Sequence, residues 1–252
     1  KKMIGAVWRW KLIRIYYPDK LNEHIEITDS KSHKLSSVLR MQKGDKINIF
    51  DGKGTSQIME IEEFYKDKIS LKKVSSIVKK DKLNPEIILA ISIIKPSRFE
   101  IAVEKTAELG ISKIIPLITE NTNDIFVNRI NNKRLDRMRN ISISASEQCG
   151  NDFISEIDSP QTLEQIIDLK DENTALVLFY ENLKEIRKNT LDIKKFKKLI
   201  ILIGPEGGFS DEEYKKLQNK SIVLSLGENV LRTETAAICA VHEIKFLLRL
   251  IP

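Results

Sequence analysis

The sequence predicts an α/β protein with a small β-rich N-terminal part and a C-terminal domain built on a parallel sheet. In residues 14–78, short stretches that alternate apolar and polar residues flank a hairpin signal at Asp51-Gly52-Lys53-Gly54, which is typical of antiparallel strands. After residue 85, fully apolar segments alternate with helical patterns. That alternation is typical of parallel strands covered by helices on both faces.

The N-terminal pattern predicts a small β-barrel that presents a surface to a ligand. Its elements are an amphipathic helix near residues 32–40 and strands at 46–50, 56–64 and 68–74. Gly52-x-Gly54 could open a dinucleotide fingerprint, but it precedes a strand instead of a helix, which favours the hairpin interpretation. Residues 79–85 are polar, end in proline and predict a linker. We therefore place the domains at 1–78 and 79–252, and leave residues 1–12, which fit no clear element, out of the fold prediction.

The C-terminal domain is predicted to contain five strands and well-marked helices. Ser97 to Glu100 and Ser210 to Glu213 have the spacing of capping boxes, and Gly110 and Gly150 are suited to end helices in a left-handed conformation. The helix at 131–148 carries four basic residues, which indicates either a solvated face or an RNA contact. The strands are expected at 87–94, 113–118, 175–179, 199–203 and 222–226, and the basic residues are Lys133, Arg134, Arg137 and Arg139.

The last helix, expected at residues 235–250, has apolar residues on more than one side. One stripe at heptad-like spacing predicts packing on the core, and Ile238, Phe246 and Leu250 add apolar surface outside it. A helix of this kind needs more than one neighbour, so we expect it to contribute to a homodimer interface. The stripe consists of Ala236, Ala237, Ala240, Val241, Ile244, Leu247 and Leu248.

Composition excludes several classes of protein. Of the 252 residues, 41% are hydrophobic and 31% are charged, and no apolar stretch is long enough for a membrane helix, so we expect a cytoplasmic protein without a membrane partner. Cys149 and Cys239 lack the spacing of a disulfide framework or a zinc site, and we expect no metal. The three histidines, His24, His33 and His242, are expected in the core or on the surface. The net charge of +6 points mildly to a polyanionic partner.

Two glycine-bearing segments, 202–210 and 226–236, follow apolar strands near the C-terminus. Glycine after a strand lets backbone groups approach a ligand closely, so together the segments predict a ligand cradle, although the first could also be an ordinary tight turn. Glu206 and the acidic residues 211–213 disfavour phosphate at the following helix. The negative charge of Glu234 is favourable at the start of a helix because of the helix dipole, so this residue needs no functional explanation. The positive charge of Arg232 is unfavourable at the same place. This favours an external anionic or carbonyl partner for Arg232.

Both segments, in this order, resemble those of the RsmE family, 16S ribosomal RNA methyltransferases that modify the N3 atom of a uridine. The resemblance covers nearly the whole chain after the first dozen residues. One departure is Asn151, where many members carry arginine. The similarity extends through Arg14 to Pro18, Val38-Leu39-Arg40-Met41, Phe50-Asp51-Gly52, Lys95 to Gly110 and Ser146-Glu147-Gln148-Cys149-Gly150.

The resemblance implies an N-terminal PUA-like β-barrel that binds RNA and a C-terminal SPOUT α/β domain with a trefoil knot at about residues 200–240. It also implies a homodimer, S-adenosylmethionine as the cofactor, and 16S rRNA of the small ribosomal subunit as the substrate. The cofactor would contact Leu202, Gly204, Pro205, Glu206, Gly207, Gly208, Leu226, Gly227, Val230, Leu231 and Thr233.

For catalysis, Arg232 is expected to stabilise negative charge on the uracil carbonyl oxygens, and Glu234 is a candidate proton acceptor or cofactor-orienting carboxylate. Two alternatives stay open, namely a knotted methyltransferase that acts on a ribose hydroxyl and a non-enzymatic RNA-binding assembly factor. The residues that match basic RNA-binding positions of the family are Arg14, Arg40, Lys95, Arg98 and Lys105.

Overall fold

The computed structural model describes residues 12–181 and 193–250, and their contacts divide the chain into two compact units. The first unit comprises residues 12–82 together with 146–154. The second comprises residues 83–145 and the described residues after 154. The division therefore falls four residues beyond the domain boundary predicted at residue 78, and a short later segment joins the first unit.

The first unit is built on a six-stranded sheet with the strand order β1-β3-β4-β5-β2, and β6 lies beside β4. β1 and β3 are parallel, and the other pairs are antiparallel. Inward-facing aliphatic side chains such as Ile47, Ile61 and Leu71 form its core, as the period-two pattern predicts. The strands are β1 (Ile13–Tyr16), β2 (His24–Thr28), β3 (Lys46–Phe50), β4 (Thr55–Phe64), β5 (Lys68–Lys73) and β6 (Val78–Lys79).

The hairpin between β3 and β4 confirms the interpretation of Gly52 and Gly54 as turn residues. Both have positive φ angles, 72° and 99°, and the Asp51 carboxylate accepts hydrogen bonds from the backbone N–H groups of Lys53 and Thr55 at 2.7 and 2.9 Å. The predicted helix near 32–40 begins earlier, as α1 (Asp29–His33), and continues as a π-helical turn (Lys34–Val38).

A buried carboxylate connects residues 146–154 to the rest of the first unit. The Asp152 side chain is 1% exposed and forms ion pairs with Arg14 and Lys80, and Ser56 donates to its second oxygen. Burial by itself raises the pKa of Asp152, but hydrogen bonds from Lys80 and Arg14 outweigh burial and hold the pKa below its usual value. The Arg14 guanidinium also lies over the Phe50 ring at 4.7 Å.

The second unit contains a sheet with the order β10-β8-β7-β12-β11-β13, in which β9 pairs with β8 and every pair is parallel. The five predicted strands are confirmed, and two short strands at the β8 edge were not foreseen. The bounds are β7 (Glu86–Ser92), β8 (Lys113–Ile118), β9 (Glu156–Ile157), β10 (Gln161–Thr162), β11 (Thr174–Phe179), β12 (Lys198–Ile203) and β13 (Ser221–Leu224).

Apolar clusters cover both faces of this sheet. One includes Leu89, Val177 and Ile201, and the other includes Ala90 and Leu176. The helices of the described chain after residue 95 are α2 (Pro96–Glu108), α3 (Asp124–Val127), α4 (Asn132–Cys149), α5 (Leu163–Asp168), α6 (Asp211–Gln218) and α7 (Thr233–Leu247), with a 3₁₀ turn at Ile193–Lys195.

The helix ends correct two predictions and confirm others. Ser97 does not cap α2, because Pro96 occupies the first turn and Lys95 is the N-cap, without a side-chain hydrogen bond. The Ser210–Glu213 capping box is present, and Gly110 and Gly150 have φ angles of 73° and 82° at helix ends. α7 begins at Thr233, two residues earlier than expected, which places Thr233 and Glu234 inside its buried first turn.

The basic residues of α4 are mostly engaged within the second unit. Glu100 accepts from Arg137 at 2.6 and 2.8 Å and lies 3.5 Å from Arg134, and Arg139 pairs with Asp136. These pairs favour a structural role for the helix over an RNA contact.

None of the described helices combines the length and the apolarity that a membrane span needs. Within residues 12–181 and 193–250, no set of three His, Cys, Asp or Glu side chains is grouped to hold a metal ion.

We predict that Asp152→Asn destabilises the protein by about 3 kcal/mol at pH 7, because it leaves the buried Arg14 charge uncompensated. The pKa of Asp152 is lower in the folded than in the unfolded state, so its contribution is complete above the unfolded pKa of about 4 and is lost as the pH falls through the folded pKa. Urea unfolding at pH 7 and pH 3 measures both effects. Equal losses of stability at the two pH values would contradict this role.

Candidate functional site

The site is built where three parallel strands end side by side. β11 lies between β12 and β13, with Leu178 opposite Leu202 on one side and Phe179 opposite Leu224 on the other. Since the carboxyl ends of parallel strands meet at one edge of a sheet, the segments after these strands converge there. Both glycine-bearing segments are among them, together with residues 179–181.

The converging segments line an open cleft, and a concave site of this kind suits a small molecule. Glu181 is the one charged side chain among the described residues that line it. The other residues offer backbone groups, hydroxyls, an amide and apolar surface. From the three strand ends and the start of α7, the lining residues are Phe179, Tyr180, Glu181, Ile203, Gly204, Pro205, Gly208, Phe209, Ser225, Leu226, Gly227, Asn229, Leu231, Thr233 and Ala236.

Two glycines of the cleft are required by backbone geometry. Gly208 has φ +69°, and a Cβ atom there would lie 3.0 Å from Oε1 of Glu181. Gly227 has φ +114°, a conformation that other L-residues rarely adopt, although the space beside it is open. A residue other than glycine would therefore strain the backbone at both positions, and at Gly208 it would also have to displace the Glu181 carboxylate.

Side chains from outside the loop hold the first glycine segment in place. Nδ2 of Asn121, in the segment after β8, donates to the carbonyl oxygens of Gly207 and Gly208, at 3.2 Å each. The Glu213 carboxylate, 6% exposed, accepts from the backbone N–H of Ser210 and, with its other oxygen, from that of Glu120, both at 2.9 Å. The loop after β12 is therefore fastened to the loop after β8.

The structure brings seven of the eleven predicted cofactor residues to the cleft. These seven are Gly204, Pro205, Gly208, Leu226, Gly227, Leu231 and Thr233. Leu202 instead faces the core on the opposite side of β12, and its neighbour Ile203 lines the cleft, as alternation along a strand requires. Gly207 faces Asn121, and Val230 is 76% exposed. Glu206 lies 3.4 Å from Arg98.

The two predicted catalytic residues differ in their surroundings. Arg232 is the exposed N-cap of α7 between the lining residues Leu231 and Thr233, and among the described residues its guanidinium has no hydrogen-bond or ion-pair partner. Glu234 is buried, with Oε1 3.7 Å from Nε of Arg98 and no hydrogen-bond partner for Oε2. The Arg98 side chain therefore lies between two carboxylates, those of Glu206 and Glu234.

The residues predicted to contact RNA also differ in availability. Arg40, with φ +51°, and Lys95 are exposed. Lys105 pairs with Glu104 and Glu108 at 2.7 and 2.8 Å, and these hydrogen bonds, the Glu104 one first, raise the pKa of Lys105 above its usual value. Arg14 is 9% exposed and paired with Asp152, so its charge is used inside the first unit.

Several lining residues were not identified from the sequence. The end of β11 supplies Phe179, the turn after it supplies Tyr180 and Glu181, and the region around the second segment adds Ser225 and Asn229. The predicted strand ending at residue 179 was a usable signal, because the residue after a parallel strand lies at the same edge as the glycine segments. The Tyr180 ring stacks on Tyr214 with 4.1 Å between centroids. No local sequence pattern predicts this contact.

The chain matches the family model for the RNA methyltransferase domain over residues 81–245. It is 32% identical over 250 residues to the ribosomal RNA small subunit methyltransferase E of Rickettsia conorii, covering 94% of this chain and 96% of that protein. The protein of the same name from Buchnera aphidicola subsp. Schizaphis graminum is 34% identical over 246 residues, or 94% and 97% of the two chains.

The chain belongs to the ribosomal RNA small subunit methyltransferase E family. Among solved structures, a methyltransferase from Legionella pneumophila in complex with the bound cofactor SAM superposes with a TM-score of 0.80 and 31% identity, covering 94% of this chain and 98% of that one. The family assignment made from the two glycine segments is thereby confirmed, as is a mixed α/β fold with a parallel sheet and a separate curled sheet.

We predict that Asn121→Asp loosens the first glycine segment, because an aspartate has only acceptor oxygens to offer the carbonyls of Gly207 and Gly208. The loss of two hydrogen bonds, each worth about 0.5–1.5 kcal/mol, should speed amide exchange at Gly208 about fivefold or more. Hydrogen exchange followed by NMR measures this rate.

The matched control is Asn123→Asp. It makes the same chemical change two residues away, where the side chain caps α3 by accepting from Ile125 N–H, a task that aspartate performs equally well. Gly208 exchange should stay at the wild-type rate in this control. Equal rates in both variants would contradict the role given to Asn121.

Proposed function

We propose that the protein uses S-adenosylmethionine to methylate the N3 atom of a specific uridine in 16S rRNA of the small ribosomal subunit, in the cytoplasm. The observation that carries the proposal is a cleft walled by glycine backbone, with the unpaired, exposed Arg232 between two of its lining residues. Family membership supports the same conclusion, as does the cofactor bound by the Legionella pneumophila methyltransferase.

The residues of the cleft fit an adenosyl cofactor. Apart from Glu181, the described lining residues are uncharged, so backbone N–H and C=O groups can read adenine edges, and the aliphatic side chains can cover the ring faces. No cationic side chain lines the cleft among the described residues, as suits a ligand without phosphate. Gly204, Pro205, Gly208, Leu226, Gly227, Leu231 and Thr233 would hold this cofactor, which supplies an electrophilic methyl group on a sulfonium when bound.

The chain's own contribution to the reaction is orientation and charge stabilisation. Uracil N3 becomes nucleophilic when it loses its proton, and the negative charge then spreads over the neighbouring carbonyl oxygens. The Arg232 guanidinium has no partner to give up, so its N–H donors can stabilise that charge. We assign Glu234 to holding Arg98, because its carboxylate is buried next to that side chain.

The finer features of the fold are part of the proposal. We propose that the second unit is a SPOUT domain with a trefoil knot at about residues 200–240, supported by a chain path that goes from β12 to β13 across the intervening strand β11.

We propose that the first unit is a PUA-like barrel that binds RNA. Arg40 and Lys95, both exposed, are the strongest candidates for phosphate contacts, while Arg98 and Lys105 would have to exchange carboxylate partners for phosphate.

A homodimer formed through α7 is also proposed. The helix buries Ala237, Ala240, Val241 and Ile244 in its own unit, and Phe246 is nevertheless 53% exposed. Ile101, on the neighbouring helix α2, is likewise exposed. Large apolar side chains left in solvent on two packed helices are typical of a surface that a second copy covers.

We predict that Arg232→Ala lowers methyl transfer to small subunits by about 100-fold or more, as expected when a charge-stabilising donor is removed, while affinity for S-adenosylmethionine stays within about twofold. Arg232→Lys should recover part of the rate, because it keeps the charge but loses the planar donor fork. Transfer of labelled methyl and calorimetric titration of the cofactor give the two readouts.

The proposed chemistry has its own readout in the identity of the modified nucleoside. Mass spectrometry of digested RNA should show 3-methyluridine. A 2′-O-methyl nucleoside would instead assign the protein to the ribose-modifying class, and cofactor binding without any transfer would favour an assembly factor. An unchanged rate in Arg232→Ala would remove this residue from the mechanism.

We predict that Phe246→Glu converts a dimer into a monomer, since it places a charge in an apolar interface. Light scattering coupled to size-exclusion chromatography would report a halved mass, with the thermal unfolding of the second unit still cooperative. Glu243→Gln, on the same helix, serves as the control for a charge change. A wild-type protein that is already monomeric at micromolar concentration would refute the proposed interface.

A further inference from the structure

Glu181 provides the one carboxylate on the wall of a cleft that is otherwise neutral over the described residues. It lies two residues beyond the end of β11. The residue before it is held in place, because Tyr180 N–H donates to the carbonyl oxygen of Leu224 at 2.9 Å and the Tyr180 ring stacks on Tyr214. The side chain thus starts from a well-defined position at the cleft.

The carboxylate extends to the first glycine segment. Its Oε1 would be 3.0 Å from a Cβ atom at Gly208, so the charged group and the bare backbone of the loop share one wall of the cleft. Arg98 pairs with Glu206, two residues earlier on the same loop. By contrast, none of the described residues forms an ion pair or hydrogen bond with the Glu181 carboxylate, so its negative charge is available to a ligand.

Resting on the proposed function, we propose that Glu181 is a specificity-determining residue that makes the cleft prefer the cationic cofactor over its neutral product. S-adenosylmethionine carries a positive sulfonium in addition to its ammonium and carboxylate. When the methyl group leaves, the electrons of the C–S bond stay on sulfur, which becomes a neutral thioether in S-adenosylhomocysteine. The proton displaced from uracil N3 goes to a separate acceptor.

The two ligands differ in the transferred methyl group and in the charge at sulfur, and a carboxylate near that atom favours the charged ligand. A carboxylate that binds the ammonium or the ribose hydroxyls would favour both ligands equally. Glu181 is exposed at the cleft, and an exposed charge pair changes affinity by about fivefold. That preference weakens product binding relative to cofactor binding and helps the enzyme to exchange one for the other.

The test is a calorimetric titration of the full-length protein with three probes, namely S-adenosylmethionine, S-adenosylhomocysteine and sinefungin, in which a protonated amine replaces the sulfonium. In Glu181→Gln, the dissociation constants for S-adenosylmethionine and sinefungin should rise about fivefold, and that for S-adenosylhomocysteine should change less than twofold. The difference should shrink as salt is raised.

The matched control is Glu212→Gln, which removes one exposed carboxylate from the first turn of α6, away from the cleft lining. All three affinities should stay at their wild-type values in this variant. An equal loss for all three probes in Glu181→Gln, or no loss for S-adenosylmethionine, would overturn the inference while leaving the proposed function intact. A wild-type protein that binds none of the probes would overturn the proposed function itself.

Discussion

The parallel pairing of β11 with β12 on one side and β13 on the other is the constraint on which the site depends. This pairing brings the ends of three strands, which are distant in sequence, to one edge of the sheet. Each strand end then contributes a different component, namely the Glu181 turn, the first glycine segment and the second glycine segment with Arg232. Because side chains alternate along a strand, a shift of one residue in β12 would exchange Ile203 with Leu202 at the cleft.

Strand pairing sets where the glycine segments begin, but it does not fix the course of the first one. That course depends on Asn121 and Glu213, which fasten the loop after β12 to the loop after β8. β7 lies between those two strands in the sheet, so the fastening spans a whole strand. The glycines permit a sharp turn, and the side chains from outside the loop select one among the conformations that glycine allows.

The fully apolar runs of the C-terminal strands and the glycine signals of the turns were sufficient to predict five of the seven described strands of the parallel sheet, the hairpin at Gly52 and the helix ends at Gly110 and Gly150. The sequence did not indicate the surroundings of a side chain whose interaction partner lies far away in the chain. Arg14 was expected to contact RNA, yet its carboxylate partner Asp152 is 138 residues away. A central strand that is buried on both faces has no polar alternation to show which of Leu202 and Ile203 faces the cleft. Ser97 was misassigned because Pro96 starts the helix one residue earlier.

The charges around the cleft suit a reaction in which a positive ligand becomes neutral while the attacking base carries negative charge. A wall lined with lysine or arginine would repel the sulfonium, and a wall with several carboxylates would repel both the ionised uracil and the RNA backbone. The lysine and arginine side chains behind the net charge of +6 can therefore attract RNA without repelling the cofactor only if they lie outside the cleft wall. Ion pairs such as that of Arg98 with Glu206 keep nearby cations occupied. Under the proposed function, one carboxylate is then left for the cofactor and the unpaired guanidinium of Arg232 for the base.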